Sequence, residues 1–161
     1  MNKKYNFYNI LFIFIIGTLL HFTYAWTNNN FIIGLISPTN ESIFSHTKLL
    51  ILPTFLFYLL FYRRNKAILK KSKFFSSMII QLVSSILSMV LIYYTARYGF
   101  KLESLIFDIF LFFLSILIGL ILSNFYYQHI NKPFNYQLYS FLIVILTILF
   151  NIKPLNFPFF K

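Results

Sequence analysis

The chain has 161 residues, of which 59% are hydrophobic and only 11% charged, and it contains no cysteine. Soluble domains carry about 25% charged residues, so this composition excludes an ordinary soluble domain and leaves an integral membrane protein. The missing cysteines exclude disulfides, thiolate metal centres and cysteine nucleophiles. A net charge of +11 would suggest nucleic acid in a soluble protein. Here the basic residues lie between apolar runs, where they snorkel to lipid headgroups, so lipid and not nucleic acid is the expected partner.

Apolar runs occupy about 7–26, 43–62, 74–96, 102–125 and 136–152. Crossing roughly 30 Å of hydrocarbon takes about 20 helical residues; four runs meet this and the fifth is shorter but sufficient. Backbone groups in lipid must be satisfied within the segment, so the runs are helices. The expected fold is all-α, one transmembrane domain of five helices with no separate soluble module.

The first run follows Lys3-Lys4 and ends in His21-Phe-Thr-Tyr-Ala-Trp-Thr27. Thr23-Tyr24-Ala25 has the outline of a secretory cleavage site. Trp26 as an interfacial anchor, and the ionisable His21, favour a retained span instead. His21 and Tyr24 are candidate site residues, because an ionisable group inside a membrane needs a partner.

The second run opens with Ser37-Pro-Thr-Asn-Glu-Ser-Ile-Phe-Ser-His-Thr-Lys48. Ser37 as N-cap and Pro38 at the first helical position predict a helix from Pro38 to about Tyr62. Asn40 and Glu41 then serve the helix start, and Glu41, Ser45 and Lys48 share one face. On that helix Glu41 and His46 stand about 140° apart, unlike the four-residue spacing of H-E-x-x-H. A metal would need His21 or Asp108 from another helix, so no metal and no cofactor is expected.

Between the second and third runs, Arg63, Arg64, Lys66, Lys70, Lys71 and Lys73 crowd one connector. The more basic side faces the cytoplasm, which predicts an inner N-terminus and an outer C-terminus in the cell membrane. Ser77, Gln81, Ser84, Ser88 and Thr95 form a polar stripe on the third run. Asp108, Ser115, Gly119 and Ser123 form another on the fourth. Such small and hydroxylated residues let helices approach closely in lipid. Arg97 and Lys101 lie near enough in sequence to pair with Asp108.

All three acids, Glu41, Glu103 and Asp108, fall on the expected outer side with His21 and His46. His129, in the opposite connector Tyr126–Lys132, reads as a headgroup contact. The expectation is that the first, second and fourth spans meet at their outer ends. They would gather His21, Tyr24, Asn40, Glu41, His46, Lys48 and Asp108 into one polar cluster.

These motifs resemble an uncharacterised bacterial membrane family, domain-of-unknown-function family 6512. The resemblance rests on His21, Tyr24, Trp26 and Thr27, then Ser37-Pro-Thr-Asn-Glu-Ser-Ile, Tyr94, Thr95 and Gly99, and Asp108-Ile109. Phe44 and Ser45 depart from it, standing where the family has Trp and Glu; the second departure removes an acid beside His46. The resemblance implies fold length and orientation and no activity. The expected role is a non-enzymatic partner, sensor or assembly subunit, with a membrane protein as its partner. The alternatives are an intramembrane enzyme acting on lipid or a lipid-linked substrate at the outer leaflet, with Glu41, His46, His21 and Asp108 as acid and base groups, or a small permease.

Overall fold

The computed structural model describes residues 3–153. Its elements are α1 (Lys3–Trp26), α2 (Phe31–Gly34), α3 (Ile43–Asn65), α4 (Lys71–Tyr94), a π-helical turn (Thr95–Gly99) that prolongs α4, α5 (Leu105–His129) and α6 (Tyr136–Ile152). No strand occurs among the described residues. α1, α3, α5 and α4 with its π turn are long and apolar enough to cross a membrane.

α6 has 17 residues, a rise of about 25 Å, just short of the usual hydrocarbon thickness. It nevertheless runs the height of the bundle. Tyr136 stacks on Phe75 near the start of α4, whereas Asn151 donates to the Gly34 carbonyl at the opposite end. The five expected runs thus appear as four long helices and one short one, with α2 as an additional single turn.

Chain punctuation explains these elements. Asn28 and Asn29 take positive φ of 53° and 59°, a region that Asn tolerates better than most residues. They break α1, and Asn30 caps α2 by accepting from the amides of Ile32 and Ile33. Helix α3 does not begin at Pro38. Its N-cap is Ser42, whose hydroxyl accepts from the Ser45 amide at 3.2 Å. Ser37 instead donates its hydroxyl to the Leu20 carbonyl at 2.6 Å, tying the turn to α1. Asn40 accepts from the Ser42 amide and from the Ser42 and Ser45 hydroxyls. Local side-chain bonds of this kind compete with helix and delay its start.

Helices α1, α3, α4 and α5 close a ring, since α1 packs against both α3 and α5 and α4 bridges α3 to α5. The closest pairing is α4 with α5. Gly119 makes it so: a Cβ there would fall 2.5 Å from the Gln81 carbonyl oxygen and into the Ser85 hydroxyl. The expected Ser84 is only half-buried, and Ser85 takes the contact position. α6 lies outside the ring against α4 and contributes no buried residue.

The interior of the ring is unusually polar. Asn9, Ser77, Ser115 and Ser123 are fully buried, with Gln81 1% exposed. Leu11, Ile15 and Leu19 meanwhile line the outer surface of α1. Apolar side chains outside and hydrogen-bonded polar ones inside suit a hydrocarbon surround, where polar pairing and close packing hold helices together. Across the ring, Asn9 and Gln81 exchange two amide bonds at 3.2 and 2.7 Å. Tyr58 donates to Gln81 at 2.9 Å and meets the Ser123 hydroxyl at 2.8 Å.

Candidate functional site

At the end of the ring carrying His21, four helices separate around a cavity of about 650 Å³. Its walls include Phe22 of α1, Leu49 of α3, Met89 of α4 and Phe112 of α5. Its polar groups are Thr18, His21, Glu41, His46, Tyr93, Arg97 and Asp108.

His21 reaches the cavity from the last turns of α1 and His46 from the first turn of α3. Their Nε2 atoms stand 3.3 Å apart. His46 Nδ1 lies 2.9 Å from the Ser42 carbonyl oxygen. A carbonyl can only accept, so Nδ1 carries the proton, and in the neutral ring Nε2 presents its lone pair to His21. Glu41 approaches from the turn before α3, with a carboxylate oxygen 3.5 Å from His46 Nε2. One ligand atom each from His21, Glu41 and His46 falls within 4.8 Å of the others. The 140° separation expected for Glu41 and His46 assumed that both sat on one helix. Because α3 starts at Ile43, Glu41 is free of that constraint.

Across the cavity, Arg97 projects from the π turn. Its guanidinium donates to Asp108 at 3.1 Å and lies 3.8 Å from Glu103. The guanidinium carbon also sits 5.3 Å from the centre of the Tyr93 ring. Asp108 occupies the first turn of α5, where the helix dipole favours an anion. Its second carboxylate oxygen is buried without a hydrogen-bond partner among the described residues.

Three of the sequence candidates lie elsewhere. Lys48 does not pair with Glu41: it is 1% exposed and donates to the Gly34 carbonyl at 2.8 Å and to Asn151 at 3.2 Å. Tyr24 packs against Gly34, where an added Cβ would fall 3.0 Å from its ring. Asn40 serves the start of α3, as described above. His21, Glu41 and His46 therefore form one group, and Asp108 a second on the same cavity. Lys48 and Tyr24 belong to the joint between α2, α3 and α6. Asn151, Asn9 and Tyr58 had no local sequence signal, since their partners lie 117, 72 and 65 residues away.

An all-α bundle with four membrane-length helices and a polar interior belongs to the class of helical membrane proteins. Within that class the chain belongs to DUF6512, a family of unknown function whose model matches residues 1–161. No curated protein and no solved structure matches the chain.

Proposed function

We propose that this chain is a multi-pass protein of the cell membrane whose cavity faces outward and holds an amphiphilic ligand without changing it chemically. Its role is that of a sensor, partner or assembly subunit. The carrying observation is the cavity itself, about 650 Å³ and walled largely by apolar side chains. Small-molecule sites span about 300–1,000 Å³ and combine apolar walls with a few polar groups. Glu41 and Asp108 line it and Glu103 pairs with Arg97 at its edge, so all three acids of a chain of net charge +11 gather here. That charge pattern favours a neutral or cationic head over an anionic one.

The orientation rests on the connector Arg63–Lys73, at the end opposite the cavity, whose six basic residues favour the cytoplasm. The full-height course of α6 supports a fifth crossing and an outer C-terminus. Reporter fusions after Lys73 and at Lys161 test this, and an inner signal at Lys161 would overturn it.

The binding reading is tested by native mass spectrometry of the chain released from nanodiscs made with cell lipid. Wild type retains a ligand recovered unchanged after long incubation. Ile109→Trp fills the mouth from a position already 51% exposed, and it loses the ligand while unfolding at the temperature of ligand-free wild type. Accumulation of chemically altered ligand would overturn the reading in favour of outer-leaflet lipid chemistry.

A further inference from the structure

We propose that His21, His46 and Glu41 bind one zinc ion at the cavity mouth. The inference rests on geometry and donor chemistry; a zinc here would cancel the Glu41 charge, so of the heads proposed for the cavity it leaves the neutral one. Ligand atoms about 2.0–2.1 Å from a tetrahedral zinc stand about 3.3–3.4 Å from one another. The two imidazole nitrogens are 3.3 Å apart and the carboxylate oxygen is 3.5 Å from one of them. These are two edges of such a tetrahedron, and all three ligand atoms fall within 4.8 Å.

The tautomer is also prepared. Metal-binding histidines typically donate their second ring N–H to a carbonyl or carboxylate, which orients the ring and raises its basicity. His46 does this through Nδ1 to the Ser42 carbonyl at 2.9 Å. Its Nε2 lone pair then faces the His21 nitrogen and the Glu41 carboxylate, an arrangement that calls for a cation or a shared proton between them. Two imidazoles and a carboxylate suit zinc, whereas magnesium and calcium prefer oxygen donors.

Glu41 has a side chain 85% exposed, so it closes onto the ion from the solvent side while the histidines are held by helices. Three protein ligands leave the fourth position open toward the cavity, for water or for a donor atom of a bound molecule. The sequence spacing concealed this site because its ligands come from α1, from the turn before α3 and from α3 itself.

Full-length protein in detergent, with its purification tag removed and stripped by a chelator, is titrated with cobalt(II) and then with zinc. The expected result is one cobalt per chain with the strong visible absorption of a tetrahedral site, displaced by one zinc. His21→Gln and His46→Gln should each weaken zinc by more than the roughly 10–100-fold that loss of an outer-shell partner costs. His129→Gln, at the other end of α5, should leave binding at the wild-type value. Glu41→Gln guards against misfolding, because so exposed a side chain is replaced without disturbing the bundle. Its zinc affinity should fall at least tenfold with unchanged helicity. Wild-type binding equal to that of His21→Gln, or Glu41→Gln binding equal to wild type, would overturn the site and leave a shared proton between the histidines.

Discussion

Two polar regions of this bundle use similar residues to opposite ends. In the middle of the ring Asn9, Gln81, Tyr58 and Ser123 are buried and bonded to one another, with distances of 2.7 to 3.2 Å. At the cavity, His21, His46, Glu41, Arg97 and Asp108 line an open space, and one Asp108 oxygen lacks a partner among the described residues. A closed network satisfies its own donors and acceptors and specifies helix register. An open one leaves capacity for something that comes from outside. Burial of polar atoms in a membrane protein is therefore no guide to function unless one asks whether their bonds are already made.

The contrast predicts that stability resides in the ring and that the cavity is nearly neutral to it. The largest effect is expected at Gly119, where Gly119→Leu would drive a side chain into the Gln81 backbone and Ser85. Forced overpacking costs about 1–3 kcal/mol and occasionally more, and here the whole α4–α5 contact must open. Reversible unfolding in mixed micelles should show a loss at or above the top of that range. Next comes Asn9→Leu, which strands the Nε2 amide of the buried Gln81, whose Oε1 keeps the Tyr58 hydroxyl. An unsatisfied buried polar group costs about 1–3 kcal/mol, read by the same unfolding assay.

Tyr58→Phe sharpens the comparison within the ring. It removes two hydroxyl bonds but leaves the Asn9–Gln81 pair whole, and a single interhelical bond in a membrane averages only about 0.6 kcal/mol. A loss near about 1 kcal/mol is expected, and one as large as that of Asn9→Leu would mean that the hydroxyl and not the amide pair organises the ring. The smallest effect belongs to Glu41→Gln, within about 0.5 kcal/mol as for other exposed substitutions. A larger destabilisation at Glu41 would erase the distinction between the two regions.

Much of the architecture was legible in the sequence because a run of about 20 apolar residues has few alternatives in lipid. The run at 136–152 matched α6 to the residue, and that at 43–62 matched the start of α3. What local reading missed was the turn between α1 and α3. Ser37-Pro38 has the chemistry of a helix start, yet Ser37 is drawn to Leu20 of the preceding helix and the cap passes to Ser42. A hydroxyl serves either role, and only the position of α1 decides between them. Lys48 misled for a similar reason. Helical spacing offered it Glu41, but it is buried against Gly34 and against Asn151, 103 residues away. At the cavity the residue types were visible but their grouping was not, because it depends on which helices are neighbours.

The π-helical turn at Thr95–Gly99 has a consequence for how this protein tolerates change in its gene. Such a turn amounts to one extra residue inserted into an α-helix, and it tends to occur where a side chain must be re-aimed. Deleting the single codon for Ala96 would restore ordinary helical winding and keep the reading frame. Each residue of an α-helix advances about 100°, so Arg97 would swing by roughly a quarter turn or more, away from Asp108 and Glu103. A deletion that changes neither the charge nor the number of helices would thus strip the cavity of its arginine and leave its acids facing one another.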